Sequence, residues 1–277
     1  MKPGAGRRKQ VLRIYSWVAP VGEMLDVLIL VAAGALLLPY VMGPLLIRAV
    51  HRQAARPAFQ MLDPSVQALP EEADLHLRKI TSALQNEGFS IAAVFEQSGY
   101  VKNLTVYLAL LENRGAQDLA IAVAMYVTVE GQVKFRTVYS EFSTGYLDES
   151  SVTTNNCSEL TASAPLPQRT LSQLPLLADP LRLYRAHQAL LRRVTHTKKK
   201  SIPARDELER FLRTGMEKEV AAQVAAGYLY LDASADCYRP TWKGALLMTW
   251  KLVWPVSAIR RSRRDRRAAE LVQELGV

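Results

Sequence analysis

The side chains best suited to chemistry are few and scattered along the chain. They are four histidines and two cysteines: His51, His76, His187, His196, Cys157 and Cys237. None of them stands at the short spacing at which zinc ligands recur. His76 and His187 fall in predicted helices, where surface or helix-packing roles are expected, and His51 and His196 lie in polar segments where water should solvate them. The sequence therefore predicts no metal site.

Motifs that position a nucleophile or a phosphate group are also missing from the sequence. It contains no nucleophile elbow, no GxGxxG, no GxxxxGK[ST] and no HExxH. Cys157 has no recognisable base near it in the sequence. We therefore expect a protein that is not an enzyme and binds no cofactor. An enzyme whose site residues are dispersed along the chain is kept as an alternative.

The most polar stretch of the central region is "YLDESSVTTNN", Tyr146 to Asn156. Asp, Ser and Asn in such a stretch satisfy the hydrogen bonds of turns, so a solvated hairpin end is the favoured interpretation. A second interpretation is a loop that recognises a peptide or a small polar ligand. Its residues would be Asp148, Thr153, Thr154 and Asn155.

Tryptophan and arginine are concentrated near the C-terminus. The apolar stretch "GALLMTWKLVWPVSAI", Gly244 to Ile259, carries a lysine at its centre and is short for a spanning helix, so it could span, lie on the membrane or pack in the core. Arginines follow it at once, and such clusters bind anionic headgroups on the cytoplasmic leaflet. The predicted membrane-surface contact comprises Trp242, Trp250, Lys251, Trp254, Arg260, Arg261, Arg263, Arg264, Arg266 and Arg267.

A charge-free run of twenty-one residues, Val27 to Ile47, is the strongest signal in the sequence. A helix of that length extends roughly 32 Å and matches the roughly 30 Å hydrocarbon thickness of a bilayer. Basic residues rather than a small-residue cleavage site follow the run, which favours an uncleaved anchor over a signal peptide. Pro39, Gly43 and Pro44 predict a kink or an early exit from the lipid. The sequence thus predicts a single-pass protein of the cell membrane.

The orientation of this anchor is indicated by two conflicting patterns. Five basic residues precede the run and three follow it, which favours a cytoplasmic N-terminus and an exported body. The C-terminal arginine cluster favours a cytoplasmic body instead. We expect the folded part on the cytoplasmic side. The net charge of +9 lies mostly in the terminal regions and in "TKKK", Thr197 to Lys200.

Between the anchor and the arginines, the sequence predicts an α+β fold. Short turn-rich connections between four runs rich in β-formers, followed by "SSVTT", indicate an antiparallel meander. Helices are predicted before and after it, with apolar faces formed by Ala73, Leu77, Ile80 and Leu84 and by Leu183, Ala186, Leu190 and Val194. The predicted segments are a basic N-terminal segment (1–26), the transmembrane helix (27–47), a juxtamembrane connector (48–69), the α+β domain (70–195), a linker (196–204), a helical module with an amphipathic helix (205–259) and a basic tail (260–277).

The helical module carries a resemblance to a known family. The stretch "AAGYLYLDASADCYRPTWKGALL", Ala225 to Leu247, resembles the close of a winged-helix domain, and with the helices before it the resemblance covers about forty residues of the chain. The resemblance implies a two-stranded wing between two helices. A helix that reads DNA needs positive charge, but Lys218 and Gln223 stand beside Glu217 and Glu219 here. A protein-contact role is therefore favoured over nucleic-acid binding, which stays an alternative.

The segment "EFSTGYLDESSVTTNN", Glu141 to Asn156, resembles bacterial membrane-anchored proteins of uncharacterised function and implies no activity. Taken together, the sequence predicts a non-catalytic, membrane-tethered protein. Its expected partners are the lipid bilayer, contacted by the anchor and by a second, peripheral site, and an unidentified protein.

Overall fold

A computed structural model describes the backbone of residues 7–56, 58–194 and 198–277, and the side chains of 24–56, 58–193 and 198–277. The helices are α1 (Arg7–Val50), α2 (Glu71–Leu84), α3 (Pro180–Val194), α4 (Leu208–Ala225), α5 (Trp242–Leu252) and α6 (Val256–Leu275). The strands are β1 (Gln53–Ala54), β2 (Gln60–Leu62), β3 (Ser90–Ser98), β4 (Leu104–Asn113), β5 (Asp118–Val129), β6 (Gln132–Tyr146), β7 (Ser151–Asn155), β8 (Arg169–Gln173), β9 (Lys200–Ser201), β10 (Leu229–Asp232) and β11 (Cys237–Pro240).

The predicted antiparallel meander is confirmed as the centre of the fold. Strands β2 to β8 form one sheet in chain order, with β9 paired to β6. All pairs are antiparallel except β7 with β8. The segment 164–180 contains four prolines, which predict an extended connector along the sheet surface. Part of it instead joins the sheet as β8, because residues 169–173 contain no proline and can pair with the edge of β7.

Helices cover both faces of this sheet. On one face, α2, α3 and α6 bury the main core, and the predicted α2 face of Ala73, Leu77, Ile80 and Leu84 is buried as expected. On the α3 face, Leu183, Ala186 and Leu190 are buried, whereas the side chain of Val194 lies outside the described residues. On the opposite face, α4 packs Leu208 against Phe95 and Leu110 of the sheet. The resulting α+β class agrees with the sequence.

The C-terminal segment was expected to be a basic tail over residues 260–277. It forms most of helix α6 instead. Its Ala268 is buried, and Leu271, Val272 and Leu275 pack on the main core. These apolar residues follow the last arginine of the helix and stand at the spacing i, i+3, i+4 and i+7, so that one side of α6 is apolar there. The predicted tail is therefore part of the folded body.

The predicted helical module consists of α4, β10, β11 and α5 in that order. Strand β1, which begins shortly after α1, adds to β11 and completes a three-stranded sheet, β1-β11-β10. The predicted linker contributes β9 to the large sheet, and Lys200 in it pairs with buried Asp118 at 3.0 Å. Strand pairing therefore connects the module to the segment after α1 through β1, and connects the linker before it to the large sheet through β9. The winged-helix resemblance stays a prediction.

Helix α1 is continuous from Arg7 to Val50, past Pro39, Gly43 and Pro44, where a kink or an early exit was expected. Its stretch from Met24 to Val50 is long and apolar enough to cross a membrane, the one such helix in the described part of the chain. Fifteen large apolar side chains along that stretch are each 42–72% exposed. The other residues that the structure describes leave these side chains uncovered.

Candidate membrane interface

Helix α5 packs antiparallel to the C-terminal part of α1. At the start of α5, the Arg48 guanidinium lies 4.4 Å from the centroid of the Trp242 ring and donates a 3.0 Å hydrogen bond to the Pro240 carbonyl. At its end, the rings of Tyr40 and Trp250 are 5.6 Å apart. Helix α5 therefore runs alongside the apolar run, from the level of Arg48 toward that of Tyr40. With eleven residues, about 16 Å, it is too short to span a bilayer.

Gly43 permits this close helix contact. A Cβ atom at Gly43 would lie 2.6 Å from Cγ2 of Thr249 on α5, so a larger side chain would force the two helices apart. A Cβ atom at Gly34, further along the same helix, would have nothing within 4 Å. Two glycines of one helix thus differ in what they tolerate, and only Gly43 is needed for the α1–α5 contact.

The three tryptophans of the predicted membrane-surface contact are all exposed. Trp242, Trp250 and Trp254 keep 54%, 57% and 60% of their surface accessible. Leu246 and Ile259 add 54% and 48% exposure to the same stretch. Indole rings are enriched at membrane–water boundaries because they are apolar with one polar N–H.

The cationic members of that predicted set divide into two groups. Lys251, Arg260 and Arg264 turn inward and donate to backbone carbonyls. Lys251 donates to Ala162 and Ser163, Arg260 donates to Thr161 and Lys251, and Arg264 donates to Ser158. Arg261, Arg263, Arg266 and Arg267 are exposed and pair with no carboxylate among the described residues. The inward-turned group holds the loop 158–163 against α5 and α6, and the exposed group remains available to a ligand.

Arg263, Arg266 and Arg267 follow Ile259 at intervals of four, three and one residues. On an α-helix this spacing brings all four side chains to one side, opposite the buried Ala268. Arg261 lies on a different side of α6. We call Arg263, Arg266 and Arg267 the arginine stripe.

The residues of the suggested ligand loop are not brought together. Asp148 lies in an exposed turn, where it pairs with Lys198 and accepts hydrogen bonds from Ser150, and these contacts lower the pKa of its carboxyl to about 2. Thr153, Thr154 and Asn155 are buried in β7, between β6 and β8. Since Thr154 faces the opposite side of the sheet from Thr153 and Asn155, the four side chains share no exposed surface.

Thr154 instead belongs to a buried polar network that the sequence did not reveal. Its hydroxyl lies 3.0 Å from Nδ1 of His187, and Nε2 of His187 lies 2.9 Å from the hydroxyl of Thr144. The Thr144 hydroxyl donates to the Asp118 carboxylate at 2.6 Å. Because that hydroxyl has only one proton, its oxygen accepts from His187, which fixes the neutral Nε2–H tautomer.

Asp118 is the centre of this network. Tyr184 and Gln188 of α3 donate to one of its oxygens, and Lys200 of β9 pairs with the other. Burial lowers the pKa of His187 to about 4, and burial together with the neighbouring Asp118 raises the pKa of Tyr184. Asp118, Thr144 and His187 are fully buried. The network therefore joins α3 to β5, β6, β7 and β9.

The other histidines and the cysteines are dispersed. His76 lies on α2 with Nε2 2.9 Å from the Tyr139 carbonyl, and His51 follows α1 directly. His196 lies outside the described residues. Cys157 and Cys237 are both free thiols. Within the described part of the chain, no three His, Cys, Asp or Glu side chains lie close enough together to hold a metal ion.

Helix α4, at the position of a groove-reading helix in the winged-helix resemblance, has its cations paired. Arg210 and Arg213 pair with glutamates of their own helical segment, and Lys218 pairs with Glu149 at 3.0 Å. Phosphate binding by this helix would require these ion pairs to break. This surface gives no support to the nucleic-acid alternative.

No protein-family profile, no curated protein and no solved structure matches this chain.

Proposed function

We propose that this chain is a non-catalytic protein tethered to a membrane by α1, with its folded body held against the lipid surface. The observation that carries this proposal is the uncovered apolar surface of α1 between Met24 and Val50. Exposing so much apolar surface to water is unfavourable at roughly 25 cal/mol per Å². A bilayer removes that cost, and the length of the helix suits it.

The folded body makes a second membrane contact through the arginine stripe on α6. Anionic headgroups attract each nearby arginine by about 1 kcal/mol. Because such headgroups are concentrated in the cytoplasmic leaflet, we propose a cytoplasmic location for the body. We further propose that the large sheet domain contacts a protein partner at the membrane.

Chemical labelling of arginines tests this second contact on the unmodified chain. In anionic nanodiscs, phenylglyoxal should modify Arg263, Arg266 and Arg267 about fivefold more slowly than in zwitterionic nanodiscs, the factor that corresponds to about 1 kcal/mol. Salt at about 1 M should remove the difference, because it shortens the screening length to about 3 Å. Mass spectrometry of peptides gives the rate at each arginine.

Arg114 is the internal control for this labelling. It lies in the β4–β5 turn, at one end of the sheet. The β3–β4 turn, which bridges to β1 just after α1, lies at the opposite end. Its rate should be the same in both nanodiscs. Equal rates at the stripe in both lipids, or an equal slowing at Arg114, would contradict the second contact.

A further inference from the structure

The corner between α5 and α6 has an unusual combination of an apolar exterior and internally bonded polar groups. We define the α5–α6 corner as residues 250–259. Trp250, Leu252, Trp254 and Ile259 are each 47–60% exposed there. The one charged residue between Gly244 and Ile259 is Lys251. The corner thus presents almost no charge to its surroundings.

Lys251 in the corner and Arg260 directly after it donate hydrogen bonds to protein carbonyls, whereas the next cation, Arg261, is exposed. Lys251 donates to the carbonyls of Ala162 at 3.1 Å and Ser163 at 2.9 Å, and its ammonium lies 4.8 Å from the centre of the Tyr228 ring. Arg260 donates to the carbonyls of Lys251 at 3.0 Å and Thr161 at 3.1 Å. A lysine and an arginine on an aqueous surface would not need such partners, whereas in hydrocarbon they would.

The backbone of the turn is also bonded. The Tyr40 hydroxyl of α1 lies 3.0 Å from the Trp254 carbonyl and 3.4 Å from the Val253 carbonyl. The Val253 and Pro255 carbonyls accept from the first turn of α6, at Ser257 and Ile259. Non-helical backbone is tolerated inside a membrane where protein groups satisfy it. The turn between α5 and α6 meets this condition at three successive carbonyls.

The depth of the corner follows from its partner on α1. Tyr40 precedes Ile47, the last residue of the apolar run, by seven residues, and at ~1.5 Å per residue it lies about 10 Å inside that run. Gly43 and Thr249 touch between these two levels. If the apolar run fills the hydrocarbon, the corner beside Tyr40 is immersed in it as well.

We propose that the α5–α6 corner is a re-entrant element that enters the hydrocarbon of one leaflet beside α1, so that its partner is the acyl chains of the lipid. This inference rests on the proposed tether, since it is α1 that sets the depth. The arginine stripe, further along α6, then lies nearer the headgroups. The corner and α1 together hold the folded body at a defined distance from the membrane.

Depth-dependent quenching of tryptophan fluorescence tests the proposal. The chain has four tryptophans, so full-length variants with three Trp→Phe substitutions leave Trp250, Trp254 or Trp242 as the only emitter. In vesicles of lipids brominated along the acyl chain, Trp250 and Trp254 should be quenched at least about twofold more than Trp242, which lies level with Arg48. Equal quenching of all three, with ready quenching by aqueous acrylamide, would overturn the proposal.

Flotation of the same vesicles separates this inference from the tether itself. A chain that floats while Trp250 and Trp254 stay unquenched refutes the re-entrant corner alone, and a chain that does not float refutes the tether and the corner together. Gly43→Leu should push α5 from α1 and lower the quenching of Trp250 toward that of Trp242, whereas Gly34→Leu should leave it unchanged. Equal quenching in both glycine variants would also count against the packing that sets the depth.

Discussion

Replacing Gly244 by alanine is expected to destabilise the C-terminal module by about 3 kcal/mol, the upper range for overpacking. A Cβ atom at Gly244 would lie 2.0 Å from the Tyr228 carbonyl oxygen and 2.8 Å from its Cα, so backbone rather than a mobile side chain stands in the way. Gly244 also donates from its N–H to the side chain of Thr241, which caps α5. Relief of the clash therefore moves the start of the helix that carries the exposed tryptophans.

Gly215→Ala is the matched control, because Gly215 lies inside α4 with nothing within 4 Å of a Cβ. Alanine is favoured over glycine there by about 1 kcal/mol, so this variant should be slightly more stable than the original chain. Thermal unfolding followed by near-ultraviolet circular dichroism of the tryptophans compares the two. A Gly244→Ala chain as stable as Gly215→Ala would show that α5 does not pack on Tyr228 as described.

Replacing Asp118 by alanine is expected to cost about 3–5 kcal/mol, the usual effect of removing one partner of a buried ion pair. Asp118 is fully buried and accepts hydrogen bonds from Thr144, Tyr184 and Gln188 in addition to its pair with Lys200. Its loss leaves three donors and one ammonium without their acceptor. Urea unfolding in detergent, with the protection of α3 from proteolysis as the readout, measures the loss of unfolding free energy.

Asp148→Ala removes the other Asp–Lys pair beside the network and serves as its control. Asp148 is half exposed and pairs with Lys198 at 2.7 Å. Because water screens and solvates such a pair, its removal should leave the unfolding midpoint close to that of the original chain. Equal effects of the two substitutions would mean that Asp118 is not the centre of a buried network.

Periodicity explains which parts of the fold could be predicted from the sequence. The buried face of α2 repeats every three to four residues, and the strands of the meander are runs rich in β-formers that short turns separate, so both were predicted correctly. The apolar residues of α6, from Ala268 to Leu275, directly follow a run of six arginines, and that run suggested a solvated tail instead. Strands β8 and β9 were missed because each is short and lies in a segment dominated by proline or lysine.

The candidate interface could be predicted only in part, for a related reason. Tryptophan and arginine content identified the region, but whether a cation turns outward depends on its partners in space. Lys251, Arg260 and Arg264 donate to loop residues that lie 88 to 106 positions earlier in the chain. The Asp118 network likewise links side chains that stand 26 to 82 positions apart in the chain. Such contacts leave no local spacing to detect.

Extraction of membranes from cells that produce the full-length chain tests the tether most directly. After washing at alkaline pH and at about 1 M salt, which strips surface-bound proteins, the chain should remain in the high-speed pellet and dissolve only with detergent. A variant with Leu30→Asp and Leu37→Asp, at two positions more than 60% exposed on α1, should be lost from that pellet. A full-length chain that stays in the supernatant without detergent, as a single monodisperse species, would contradict the account.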